Sequence, residues 1–233
     1  MRNSNFSAAR DFVDFGLQER ALGRRESISG PGSTRSAAEP VLSLLNRVVK
    51  KYRVTSILDL GCGDWNWMQY AAWRSNPRVC YEGWEAHPGL VDDLTKKFGD
   101  SRTCFRLADV THDTLPRADL VVCRDILFHL RLDLALQIIQ QLQEYGCILI
   151  ATSFLEQRRN IDIQPYLPIE NWGFYLINLD IAPFNLRRFR IRAASEPECS
   201  YQGHRRSVCL YQLPPSGRTG QPADANRPAD GPV

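Results

Sequence analysis

Apolar runs and helix-period segments alternate through the middle of this chain, and that alternation leaves few folds open to it. The runs lie at Val54 to Leu60, Arg78 to Trp84, Thr103 to Leu107, Ala118 to Cys123 and Cys147 to Ser153. Each is nearly continuous in apolar character, as a strand covered on both faces must be. Segments with helical spacing at Trp65 to Arg74, Pro88 to Phe98 and Leu132 to Glu144 separate most of them, and an amphipathic helix over Ala38 to Lys50 leads into the first. Strands joined through helices pair in parallel, so the pattern predicts an α/β, doubly wound sheet. Two later runs, Phe189 to Ala194 and Ser207 to Leu213, are joined by a loop too short for a crossover helix and are predicted as an antiparallel hairpin at the sheet edge. The expected sheet is thus seven-stranded and mostly parallel, with an antiparallel C-terminal hairpin.

The ends divide from this core. Residues 1–35 read as a helical and loop extension, weakly helical around Phe12 to Ala21 and broken by "SGPGSTRSAAEP", where Ser33 or Thr34 is a candidate cap for the next helix. Residues 36–213 hold the alternating pattern. Residues 214–233 contain no apolar anchor and are expected to be disordered. A net charge of +3 and a pI near 8.5 are too mild to argue for nucleic acid or an acidic membrane as partner. The seven cysteines are odd in number, and Cys80, Cys123, Cys147 and Cys209 fall inside apolar runs, which reads as reduced core residues in a cytoplasmic compartment. No CxxC pair offers a metal site. The first thirty residues lack a continuous apolar segment and carry Asp11, Asp14 and Glu19, so no secretory signal is expected, and no run reaches membrane-spanning length.

The stretch "TSILDLGCGDWNWM" carries the first functional signal. Gly61 and Gly63 follow a strand directly, where backbone without Cβ lets a ligand approach and where the carboxyl ends of a doubly wound sheet bind ligands. Taken alone, a short GxG pattern is equally a tight turn. Glu85, at the end of the second strand in "YEGWEAHP", lies twenty-four residues beyond Gly61, about where a carboxylate accepts hydrogen bonds from ribose hydroxyls. A nucleoside ligand follows. Asn66 stands where a dinucleotide motif wants its third glycine, and Asp59 adds a carboxylate suited to a cationic amine rather than a pyrophosphate.

These residues resemble the class I S-adenosyl-L-methionine-dependent methyltransferases, which have a Rossmann-like sheet. The resemblance rests on Asp59-x-Gly61-x-Gly63, on Glu85, and on "LADVT" with Asp109 after the third strand, and it spans roughly residues 36–213. More narrowly, "ESISGPGS", "GCGDWNWM", "CRDILFHL", "NIDI" and "PFN" in this order resemble a subgroup associated with modification of glycans or small molecules. The resemblance implies S-adenosyl-L-methionine as cofactor. Gly61 and Gly63 would border its methionine part, Asp59 its amino group, Glu85 the ribose and Asp109 the adenine amino group. Cys62, Trp65, Ala86, Val110 and Cys123 complete the implied cofactor-binding set. The segment "SGPGS" is expected to close over the cofactor from the other side.

Methyl transfer is an in-line displacement that needs alignment and, for a hydroxyl or protonated amine, a base. Asp125 and His129 in "CRDILFHL" are four apart, which a helical turn would bring to one face, and they are the catalytic candidates. A structural alternative stays open for both, with Asp125 capping a helix or pairing with Arg124 and His129 a core histidine. The long aromatic stretch over residues 154–185 reads as an acceptor lid. Arg124, Asp162, Trp172, Asn178 and Asn185 are the candidate contacts for a small-molecule or glycan acceptor, methylated at oxygen. Two other functions fit the same sheet: a nicotinamide-dependent oxidoreductase, and a protein that binds the cofactor without catalysis. A nucleic-acid base methyltransferase is disfavoured because "CRDIL" lacks a Pro-Pro-aromatic run. "RRFRIR" reads as an edge strand with solvated arginines.

Overall fold

The computed structural model describes residues 4–161, 175–201 and 204–215. The chain opens with helix α1 (Ser4–Ala21) and helix α2 (Glu39–Tyr52). Helix α2 buries Val41, Leu44, Leu45, Val48 and Val49, an i, i+3, i+4, i+7 stripe, and Pro40 sits in its first turn where a missing N–H costs nothing. Its amino end is capped by neither Ser33 nor Thr34; Ala38 occupies the cap without a side-chain bond. Thr34 instead accepts from the Ala37 and Ala38 N–H groups one turn earlier, through its hydroxyl and its carbonyl.

The strands follow as β1 (Ser56–Leu60), β2 (Cys80–Glu85), β3 (Thr103–Leu107), β4 (Leu120–Cys123), β5 (Cys147–Ser153), β6 (Arg190–Tyr201) and β7 (His204–Leu213), with helix α3 (Pro88–Phe98) between β2 and β3 and helix α4 (Leu132–Tyr145) between β4 and β5. They form one seven-stranded sheet in the order β3-β2-β1-β4-β5-β7-β6. Strands β1 to β5 pair in parallel, while β7 is antiparallel to both β5 and β6. The predicted fold class and hairpin are therefore what forms. Strand β6 is the edge, and Arg187, Arg188 and Arg192 on and beside it are exposed, as the edge reading expected.

Alternation along each strand feeds two apolar layers. Ile57, Tyr81, Val122 and Ile150 face the layer of α2 and α3, whereas Leu58, Leu60, Val121 and Leu149 face the layer of α4 and residues 177–186. One predicted helix does not form: residues 65–74 hold two short 3₁₀ turns, Met68–Tyr70 and Ala72–Ser75. Trp65 takes a left-handed φ of 58°, which ends regular helix before it starts, and Trp65 and Trp73 are both sunk into the core. Cys80 also departs from expectation. It is solvent-exposed at the start of β2, while Cys123, Cys147 and Cys209 are buried as foreseen. No described helix is long and apolar enough to cross a membrane.

The amino ends of β1 and β4 are clamped by one side chain. Asp119 Oδ2 accepts from the Thr55 N–H at 2.7 Å, the Thr55 hydroxyl at 2.7 Å and the Ser56 N–H at 3.0 Å, and its own N–H donates to Ser56 Oγ at 2.8 Å. This sets the register that pairs Ile57 with Leu120. Asp119→Ala should cost about 1 kcal/mol, the net worth of a typical surviving hydrogen bond, and speed amide exchange at Ser56 and Ile57 ahead of the rest of the sheet; exchange unchanged there would show that apolar packing alone holds the register.

Candidate active site

The strand order reverses its direction of growth between β1 and β4, and it is beyond the carboxyl ends of such a switch point that doubly wound sheets bind ligands. The glycine turn forms one wall. Gly61 and Gly63 have φ of 68° and 57°, where L side chains rarely go. A Cβ on Gly61 would lie 2.7 Å from Ile126 Cδ1, so the turn and the loop after β4 are in close contact. Cys62 donates its N–H to the Trp84 carbonyl at 2.9 Å, which ties the turn to β2, and its thiol is buried.

Glu85 sits at the end of β2 beside this turn. Its Oε2 accepts from the Gly63 N–H at 3.2 Å, and Oε1 accepts from the Ala86 and His87 N–H groups at 2.8 and 3.1 Å. Burial pushes its pKa up, and these three backbone donors only partly offset that. His87 then caps α3 by accepting from Leu90 N–H at 3.1 Å through Nδ1, so the ring is a structural cap.

Asp59 is buried one residue before the end of β1, on the face shared with Tyr81. The Tyr81 hydroxyl donates to Asp59 Oδ2 at 2.7 Å, and Gly83, the β2 partner of Asp59, leaves room for that ring. Burial raises the Asp59 carboxyl to about 7, against the opposing Tyr81 bond and the Arg124 charge. Asp109, in the loop after β3, is spent within its own turn: it accepts from the Thr111 N–H at 2.9 Å and hydroxyl at 2.6 Å and lies 2.9 Å from His112 Nδ1. Partial burial works against its ionised form, but those bonds win and hold its pKa below the usual value. Val110 beside it is buried, as is Cys123 at the end of β4. Trp65 is placed differently from expectation, for its ring packs in the core among Trp73, Tyr81, Phe98 and Phe105.

The candidate catalytic pair, Asp125 and His129, also departs from the helical turn expected for it. Asp125 has a φ of 59°, and only residues 127–129 beyond it turn, as 3₁₀. Its carboxylate is engaged elsewhere. Oδ1 accepts from the Thr152 hydroxyl at 2.7 Å, and Oδ2 lies 2.8 Å from Arg206 Nη1 and 3.2 Å from Arg124 Nη1. Burial disfavours the ionised form, yet the two guanidiniums and Thr152 hold the pKa below the usual carboxylate range. Both arginines also reach Glu196, which is 1% exposed: Arg124 Nη2 at 2.9 Å and Arg206 Nε at 2.8 Å. Arg124 is thus buried in a four-charge box, which sequence reasoning missed because Glu196 and Arg206 lie between the two runs of the predicted hairpin, in the part where the strands extend beyond them. His129 is exposed, its ring 4.5 Å from that of Phe128.

Of the acceptor candidates, Asn178 is 2% exposed and donates its amide to the Leu155 and Gln157 carbonyls at 3.1 and 2.8 Å. Asn185 has a left-handed φ of 55° and donates to Pro183 O at 3.2 Å. Both shape the arms of the 154–185 stretch. Asp162 and Trp172 lie outside the described residues. Among the described residues no cluster of three potential metal ligands exists. A cavity of about 420 Å³ opens at the other end of the sheet, lined by Arg74, Asp100, Arg102 and Thr103 among others, away from this site.

The Asp59 shift has a pH signature. Its folded pKa of about 7 stands above the ordinary value near 3.9, so the native state binds this proton more tightly and the favourable contribution is lost as pH rises from about 4 to 7. Asp59→Asn removes that loss. Between pH 5 and pH 8 the variant should gain roughly 2–3 kcal/mol relative to the parent in denaturant unfolding, and a constant difference would show an unshifted carboxyl.

No protein-family model and no curated protein sequence matches the chain. Solved structures do. A Burkholderia thailandensis 1,6-didemethyltoxoflavin-N1-methyltransferase with bound 1,6-didemethyltoxoflavin and S-adenosylhomocysteine superposes with a TM-score of 0.60 at 17% identity, covering 89% of each chain. The N-methyltransferase NodS from Bradyrhizobium japonicum WM9, in complex with S-adenosyl-L-homocysteine, gives 0.57 at 14% identity over 84% of this chain and 97% of its own. PigF with SAH gives 0.56 at 18% identity over 91% of this chain, which spans only 63% of PigF. At such identities what is shared is architecture, and the chain has the class I methyltransferase fold.

Proposed function

We propose that the protein is an S-adenosyl-L-methionine-dependent methyltransferase acting on a small molecule, and more narrowly that it methylates an oxygen of a small or glycan-like acceptor. One observation carries the reading. A turn without Cβ atoms and a buried, backbone-clamped carboxylate meet at the switch-point crevice of a fold whose solved neighbours hold S-adenosylhomocysteine.

The residues present fit that cofactor. Gly61 and Gly63 carry no Cβ, with Ile126 and Ser29 packed beside them, and Glu85 is held by three N–H groups that leave it lone pairs to accept from paired hydroxyls. Asp59 offers a carboxyl whose ionised form an ammonium group would favour. When bound, S-adenosyl-L-methionine supplies an electrophilic methyl on a sulfonium. The chain's own part is to orient the acceptor and take its proton. Asp125, with depressed basicity, is an anchor that accepts a hydrogen bond from the acceptor. His129, exposed beyond the 3₁₀ turn, is the proton acceptor in this reading. Arg124 contributes through Asp125, while Asp162 and Trp172 remain proposed acceptor contacts on the 154–185 stretch.

Titration calorimetry tests the cofactor assignment. The parent should bind S-adenosyl-L-homocysteine and not NADH, and Gly61→Val, which drives a side chain into Ile126, should bind neither while keeping the parent's circular dichroism. Retained affinity in that folded variant would remove the assignment. His129→Gln should lower turnover by about a hundredfold with cofactor affinity unchanged, and normal turnover would return His129 to a structural role.

A further inference from the structure

Residues 26–35 lie over the loops that follow β1 and β4 and are fastened to both. On the β1 side, Asp64 accepts from Ser27 Oγ at 2.9 Å and the Ile28 N–H at 3.0 Å, while its own N–H donates to Ser29 Oγ at 3.1 Å. Asn66 Nδ2 donates to Glu26 Oε1 at 2.6 Å and to the Ser33 carbonyl at 3.0 Å. On the β4 side, Arg124 Nη2 donates to the Gly32 carbonyl at 2.7 Å. The segment is seated closely on the turn beneath it: a Cβ on Gly63 would meet the Ser29 hydroxyl. Gly30, with φ of 94°, gives the segment a pivot that only glycine adopts readily.

Three atoms at the far latch make no hydrogen bond; two of them, Arg206 Nε and Glu196 Oε2, still face each other as an ion pair 2.8 Å apart, and the third is Arg206 Nη2. Arg206 is 7% exposed, and its Nη2 has no hydrogen-bond partner. It points at the segment, 3.0 Å from where a Gly32 Cβ would stand. A buried donor without a partner opposes closure, and lifting the segment would give it water. The closed position is therefore held by Asp64, Asn66 and Arg124 against this opposing group.

Resting on the cofactor assignment above, we propose that residues 26–35 are a gate: the cofactor enters and leaves only when the segment lifts off Asp64, Asn66 and Arg124, and the latches set the rate of exchange. Three variants weaken the seating in different ways. Ser27→Ala and Asn66→Ala each remove latch hydrogen bonds, and Gly32→Ala puts a methyl 2.6 Å from Arg206 Nη1, so Arg206 or the segment must shift. Dissociation of S-adenosyl-L-homocysteine, followed by stopped-flow tryptophan fluorescence, should be roughly five- to tenfold faster in Ser27→Ala, the effect of one lost hydrogen bond, at least as much faster in Asn66→Ala, which loses two, and faster than the parent in Gly32→Ala. Affinity should fall by less, because entry is eased too.

Thermal melting identifies which variants are folded. Unchanged dissociation in the folded variants overturns the gate and leaves the methyltransferase reading standing; absence of binding by the parent overturns that reading and the gate with it. Hydrogen exchange on the parent gives an answer that needs no variant. The Ile28 amide should exchange more slowly with S-adenosyl-L-homocysteine bound, and equal exchange with and without it overturns the gate.

Discussion

Three buried charges and a fourth, partly buried one tie together parts of the chain that are remote in sequence. Arg124 follows β4, Glu196 lies in β6, Arg206 in β7, and Asp125 begins the loop into α4, with the Gly32 carbonyl as a fifth partner. Taking each ion out of water costs several kcal/mol, and only a complete set of partners repays that cost. Removing one member would leave a charge stranded in the interior, a penalty of about 3–5 kcal/mol. The box consequently fixes the position of the hairpin against β4, holds Asp125 in its left-handed conformation, and gives the amino-terminal segment its second foothold. Its two positive and two negative members sum to zero, though the Arg124 charge still reaches Asp59, and the site's unbalanced charge comes from elsewhere.

That elsewhere is the pair of carboxyl groups at the ends of β1 and β2. Asp59 and Glu85 are both buried, and burial raises both pKa values. A fold selected for stability alone would place apolar side chains there. Keeping acids in that position makes physical sense where a ligand brings hydroxyls and positive charge to meet them. Asp109 is the contrast. Its own turn satisfies it fully, so it contributes a shaped loop more than a free acceptor.

The sheet was legible because its signals are local and repeated. β3, β5 and α3 fall on the residues that periodicity assigned, and the hairpin followed from the shortness of one loop. The glycine turn and Glu85 were legible because backbone exposure and a carboxylate at set spacing are written in residue type. What was lost is what depends on distant partners. The segment Trp65 to Arg74 has helical spacing, but the cluster with Tyr81, Phe98 and Phe105 claims Trp65 and breaks the helix. Asp125 and His129 have the right spacing for one helical face, yet Thr152 and Arg206 hold Asp125 where no helix runs. Asn178 has the polarity of a ligand contact, but the carbonyls of Leu155 and Gln157 consume its amide.

The box also carries a lesson about the order in which this molecule can be finished. Its contacts join residues separated by 92, 81 and 72 positions, and the last partner, Arg206, is on the final strand. Contacts so distant form late, after the loops they close have been paid for in entropy. A nascent chain can therefore assemble β1 to β5 and display the bare glycine turn well before β7 arrives. Until then Arg124 and Asp125 lack their partners on the hairpin, so the β4 side of the site is finished with the last strand rather than with the first.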